Sequence, residues 1–257
     1  MEGISYLCKK YPSMKRILTI LAAAASLTLG GCSIYHPQTV DIPLINHAGD
    51  TRVDVAAGIS TWLLPDVMTF GGTVSHGVTD WFAVQGHLNY GGENIYFQAA
   101  PGAYLPLGEH GVLEGYAGYG IGSSWREAQT SDSDTSGTGT YSYSGHFSLP
   151  FGQVNIGWHD LGRAHVDLAF GLKGGAYIPD FQYNRFDADG VRMPERCSHY
   201  STPNLLLEPQ LQFRIGGEHV KYCLRISIAW LSDLYNNGGE HFTADFLTIS
   251  NGLTFSF

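Results

Sequence analysis

The feature that most restricts this chain is an alternation at period two that recurs from residue 51 to the last residue. In "TRVDVAAGIS", Val53, Val55, Ala57 and Ile59 oppose Arg52, Asp54 and Ala56. In "DWFAVQGHLNYG", Phe82, Val84, Gly86, Leu88 and Tyr90 oppose Trp81, Ala83, Gln85, His87 and Asn89. In "HVDLAFGLKGG", Val166, Leu168, Phe170 and Leu172 oppose His165, Asp167, Ala169 and Lys173. "LEPQLQFRIGG" and "CLRISIAWL" repeat the pattern, and "FLTISNGLTFSF" keeps it to Phe257, with Leu253, Phe255 and Phe257 on one side. Successive side chains of a strand point to opposite faces, so each segment reads as a strand with one apolar and one polar face. A soluble sandwich and a transmembrane barrel both alternate in this way, and alternation alone does not separate them.

Loop lengths do separate them. The pattern places strands at 51–60, 66–77, 80–90, 95–105, 111–123, 143–159, 164–177, 204–216, 219–231 and 245–257. Connections after odd strands (61–65, 91–94, 124–142, 178–203, 232–244) hold 5, 4, 19, 26 and 13 residues. Those after even strands (78–79, 106–110, 160–163, 217–218) hold 2, 5, 4 and 2. Transmembrane barrels combine short periplasmic turns with long external loops. The expected fold is therefore all-β, an antiparallel up-and-down transmembrane β-barrel of about ten strands, or eight if 66–77 or 95–105 is not a strand. In such a barrel the last strand pairs with the first and leaves no open edge. The 33 glycines, the 33 aromatic residues (15 Tyr, 13 Phe, 5 Trp) and the 14% charged residues suit close-packed strands with aromatic girdles. No run of 18 apolar residues is present, so no membrane-crossing helix is expected.

The first residues carry a different signal. In "MKRILTILAAAASLTLGGC", Lys15 and Arg16 precede an apolar run of 13 residues, Ile17 to Leu29. That run is shorter than the roughly 20 residues a spanning helix needs, and it has the form of a secretory signal. Leu29, Gly30 and Gly31 lead into Cys32, and this stretch resembles the lipobox of bacterial lipoproteins. The resemblance implies a signal peptide over 1–31, with Met14 as an alternative start, and a lipidated Cys32 carrying two or three acyl chains. At about 0.8 kcal/mol per buried methylene, two or more chains make a stable anchor. Ser33 stands where enteric lipoproteins retained in the inner membrane have Asp, which implies delivery to the outer membrane. Residues 32–50, with Pro37 and Pro43, read as a periplasmic tether, and 51–257 as the barrel. Taken whole, the chain from Cys32 resembles outer-membrane β-barrel lipoproteins of Gram-negative bacteria. That implies outer-membrane lipids, the barrel-assembly machinery and the lipoprotein-sorting machinery as partners. It also implies N- and C-termini on the periplasmic side, and an assembly signal at Phe255 and Phe257.

Several classes are disfavoured. From Cys32 onward, 10 Lys and Arg stand against 22 Asp and Glu, a net charge of −12 that argues against nucleic acid. No G-x-S-x-G, H-E-x-x-H or P-loop occurs, and no cofactor is expected. "DADG" (Asp187, Asp189, Gly190) has the middle of a calcium loop, but Arg185 and Arg196 stand where its outer carboxylates belong. Apart from Cys8 in the leader and Cys32, the cysteines are Cys197 and Cys223. They are placed at opposite ends of the barrel, too far apart for a bridge, and two free thiols are expected.

The residues expected to line the lumen are Arg52, Asp54, Gln85, His87, Asn89, Gln98, Glu114, Asp167, Lys173, Glu208, Gln210, Gln212, Arg214 and Arg225. They form either a charged conduit or a plug of ion pairs, and a narrow barrel filled by side chains favours the plug. The segment "SSWREAQTSDSDTSGTGTYSYSG" reads as a solvated, mobile external loop. An external rim bearing His146, His199, His241, Asp132, Asp134, Asp180 and Asp245 keeps a hydrolase open. The expected function is a structural or surface-recognition role for the external loops, with an unidentified extracellular ligand. A small passive pore and a rim-active hydrolase are the alternatives.

Overall fold

A computed structural model describes residues 32–61, 67–131, 138–232 and 242–257. The segment expected to be a signal peptide and the rim candidates Asp132, Asp134 and His241 lie outside these residues. The strands in chain order are β1 (Cys32–Tyr35), β2 (Thr51–Thr61), β3 (Val67–Gly77), β4 (Phe82–Gly91), β5 (Asn94–Leu107), β6 (Gly111–Ser131) and β7 (Thr138–Leu161). They continue as β8 (Val166–Phe186), β9 (Ser198–Tyr200), β10 (Asn204–Gly216), β11 (Val220–Ile228), β12 (Trp230–Leu231), β13 (Phe242–Ala244) and β14 (Leu247–Ser256).

Ten of these, β2 to β8, β10, β11 and β14, pair antiparallel with their neighbours and close on themselves through β14 and β2. The closing register runs from Leu247 opposite Thr61 to Ser256 opposite Arg52, and Phe257 exchanges backbone hydrogen bonds with Thr51. The last residue is therefore held in the seam.

The barrel is polar inside and apolar outside. Every strand exposes an apolar residue on its outer face: Val55, Phe70, Leu88, Phe97, Ile121, Val154, Phe170, Leu211, Leu224 and Ile249. Trp158 and Tyr222 lie outside near the short turns, and Tyr90, Trp125 and Trp230 near the opposite end. This is the partition of a chain whose wall meets lipid.

Two expectations need correction. The first concerns the polar segment 124–142. Most of it is a continuation of the hairpin, with β6 and β7 in register out to Ser131 opposite Thr138. β6, β7 and β8 run for 21, 24 and 21 residues, about twice what a membrane crossing needs. Ser, Thr and Gly are poor formers of an apolar core, but a ladder satisfied by backbone bonds tolerates them. On the outward face the apolar run of β8 stops at Ile178, and Asp180, Gln182 and Asn184 follow. Beyond the band, three strands project as a polar extension.

The second concerns residues 32–50. The short strand β1 pairs in parallel with β13, Cys32 opposite Phe242 and Ser33 opposite Thr243, at the end of the barrel away from the short turns. From there the chain descends the lumen. Residues 34–45 are all buried, Pro37 and Pro43 included, and the segment leaves at the short-turn end, where Gly49 bonds Gly77 and β2 begins. It is a plug and not a tether in the periplasm, and Cys32 lies at the barrel end opposite Phe257. A chain with apolar residues Val40, Ile42, Leu44 and Ile45 gains more by burial among wall side chains than by exposure to water.

Candidate functional site: the occupied lumen

The plug has no strand partner below Tyr35, so its backbone needs hydrogen bonds from elsewhere. Wall side chains supply them. Gln212 both donates to the carbonyl of Ile42 (2.8 Å) and accepts from its N–H (3.0 Å), as a neighbouring strand would. Gln210 donates to the carbonyl of Val40 at 2.6 Å and Gln85 to that of Asp41 at 2.8 Å. The N–H groups of Gln38 and Ile45 are accepted by Glu208 and Glu114, each at 2.9 Å. Tyr177 donates to the carbonyl of Ile34 at 3.0 Å.

The wall also makes room. Gly157 and Gly171 face inward on β7 and β8. A Cβ on Gly157 would meet Leu44 Cδ2 at 2.8 Å, and one on Gly171 would meet Ile42 Cδ1 at 3.0 Å. Near the long-loop end the plug is wedged by aromatic rings. Tyr35 packs edge-on against Phe147 (5.7 Å) and Tyr177 (5.2 Å), and its hydroxyl donates to Glu208 at 2.6 Å.

Charge is matched across the same contact. Asp41 is the only carboxylate between Cys32 and His47. Its Oδ1 accepts from Arg214 at 2.7 Å and from Arg225 at 3.1 Å. Arg214 also reaches Asp167 (3.2 Å), and Arg225 reaches Asp54 and Gln212. Lys221 donates to Asp167 at 2.6 Å, Arg52 stands 3.8 Å from it, and Lys173 stands 3.8 Å from Glu208. All the residues predicted to line the lumen point inward, and all but Arg52 are fully buried. Lys221 belongs with them; its parity with Cys223 and Arg225 would have identified it.

Asp41, Asp54 and Cys223 lie close enough together to suggest a cation site. Arg214 and Arg225 already neutralise both carboxylates, so the cluster is complete as an ion-pair network. Cys223 is buried and Cys197 half-buried, and both are free thiols.

At the far rim, His199 Nε2 and Asp180 Oδ1 are 2.8 Å apart, and His146 stands 3.7 Å from the same carboxylate. The hydrogen bond from His199 holds the Asp180 carboxyl below its ordinary range, and the nearby histidine charges add to this. The three sit on the outward face of the β7–β9 extension, beside an open cleft of about 300 Å³ lined by Gln182, Asn184, Arg192 and Cys197. Asp245 is not with them. It is buried at the head of the lumen, where its N–H donates to the Tyr35 carbonyl at 2.8 Å. In the "DADG" turn the Asp187 carboxylate accepts the N–H groups of Asp189 (3.0 Å) and Val191 (2.8 Å), so it closes its own loop.

No protein-family profile matches the chain, and no curated protein does. Among solved structures, the chain is similar in fold to the outer-membrane protease OmpT of Escherichia coli. The TM-score is 0.52 at 10% identity, over 81% of this chain and 97% of that one. It also matches the NanC porin (TM-score 0.34, 11% identity, 80% of this chain and all of that one). A third match is the translocator domain of the autotransporter NalP from Neisseria meningitidis (TM-score 0.35, 11% identity, 95% and 96% covered).

Proposed function

We propose that this chain is a lipid-anchored outer-membrane β-barrel that conducts nothing and serves as a scaffold presenting the β6–β8 extension for contact outside the cell. The observation that carries this reading is the filled lumen. Residues 34–45 occupy it from one end towards the other, with backbone and charge both satisfied by the wall. Such a lumen is a core, and a passive pore needs a water path. What remains for contact is the projecting polar surface of β6, β7 and β8.

The anchor rests on the lipobox.

Planar-bilayer recording tests the scaffold reading. The purified full-length protein is expected to add no conductance steps. Steady open channels from wild-type protein would favour the pore.

A rim-active hydrolase is the second reading, because His199 and Asp180 are paired at the rim and the fold is like that of a protease. Both side chains are half exposed on an outward face, and the cleft beside them is open. Peptide cleavage by wild type that is lost in Asp180→Asn would move this reading ahead of the scaffold.

A further inference from the structure

Cys32 and Phe257 belong to opposite ends of the barrel. Phe257 bonds Thr51 at the short-turn end. Cys32 pairs with Phe242, in the connection between β12 and β14, at the long-loop end. The intervening direction is fixed by contacts at each level. Tyr35 meets Glu208, four residues below the head of β10. Ile42 meets Gln212, further down the same strand. Ile45 meets Glu114, near the foot of β6. The segment therefore runs through the lumen from the long-loop end to the short-turn end, and the first residue of the lipid-bearing chain is delivered to the long-loop side. In transmembrane barrels that side is external.

We infer that the acyl chains on Cys32 insert into the outer leaflet of the membrane, so that the protein is anchored on the external face by a chain threaded through its own barrel. This rests on the lipoprotein reading above. It reverses the usual geometry, in which a periplasmic tether leads from an inner-leaflet lipid to the barrel. The route has a mechanical consequence. Two or three acyl chains do not pass through a lumen already packed by Tyr35, Phe147, Tyr177 and the Arg214–Asp41 network. The barrel must instead close around the segment.

The test uses the full chain with a site for a specific protease inserted between Ser33 and Ile34, in cells fed an alkyne-bearing palmitate. The heat-dependent gel shift of barrel proteins reports that the insert is tolerated. Protease added to intact cells is expected to strip at least nine-tenths of the alkyne label from the barrel band. Label that is removed only after the outer membrane is permeabilised would overturn the outer-leaflet anchor while leaving the lipoprotein reading intact. A barrel that never takes up label, when wild type is compared with Cys32→Ala, would overturn the lipoprotein reading, and the inference with it. Threading has a second readout. Ile42→Cys with Gly171→Cys, in a background of Cys197→Ser and Cys223→Ser, is expected to crosslink in cells on mild oxidation. A pair that stays reduced in a correctly shifted barrel would place the segment outside the lumen and overturn the proposal.

Discussion

Oδ1 of Asp41 lies 2.7 Å from Nη2 of Arg214, a residue 173 positions further along the chain, and both side chains are fully buried. This contact joins the plug to the wall. Removing one partner of a buried pair leaves the other as an uncompensated charge, which costs about 3–5 kcal/mol. Asp41→Asn keeps the shape and deletes the charge, but Arg214 keeps Asp167 and Arg225 keeps Asp54, so the expected loss falls below that range, at about 2 kcal/mol. Urea titration of the gel-shifted form measures this. Stability equal to wild type would mean that the plug is not locked by charge.

Asp167 and Leu168 are neighbours with opposite environments. Asp167 is buried against Arg214, Lys221 and Arg52, whereas Leu168 is exposed on the outer face. Leu168 stands two residues after the start of β8, near the edge of the apolar band, where a charge costs only about 0–1 kcal/mol. Leu172 is four residues deeper, nearer the midplane, where the cost is about 2–4 kcal/mol. The expected order of damage to vesicle folding yield is therefore Leu172→Arg and Asp167→Asn ahead of Leu168→Arg. A Leu168→Arg variant worse than both would contradict the depth assigned to this strand.

How much of this was legible beforehand depends on what each residue answers to. Strand parity is set locally by the alternation, so Asp54, Gln85, Glu114, Lys173 and Arg225 could be placed inside from their neighbours alone. The plug has no period to read, because an extended segment held by side chains of other strands obeys no local rule. Its signals were indirect. Val40, Ile42, Leu44 and Ile45 are too apolar for a solvated tether, and inward glycines such as Gly157 and Gly171 leave gaps that something must fill. The β6–β7 extension was missed for a different reason. Its Ser, Thr and Gly residues read as solvated, and among the described residues Glu127, Gln129 and Ser144 are exposed, but the backbone ladder continues beneath them.

The two thiols differ in access. Cys223 is fully buried in the lumen wall, whereas Cys197 is part-exposed on the rim, its Sγ 3.3 Å from the Met193 carbonyl. Native protein treated with a maleimide is expected to be modified at Cys197 and protected at Cys223, with both modified after unfolding. Peptide mapping by mass spectrometry reads the two sites separately. Rapid native labelling of Cys223 would show a lumen open to reagent, and would count against the plug.

The rim pair provides a pH test. Because Asp180 is held below the ordinary carboxylate value, it is ionised more readily when folded than when unfolded. Such a group adds to stability above its unfolded pKa of about 3.9, and that contribution is lost as pH falls through the lower folded value. The element that depends on it is β9, whose His199 donates to Asp180 and lies opposite Gln182 of β8. Amide protection factors in Ser198–Tyr200 are therefore expected to hold steady from neutral pH down to about pH 4 and to fall below it. In Asp180→Asn they are expected to be lower throughout and to lose that dependence. Hydrogen exchange with mass-spectrometric readout distinguishes the two patterns. Identical protection in wild type and variant at neutral pH would mean that backbone pairing alone holds β9, and that the His199–Asp180 contact contributes nothing to the rim.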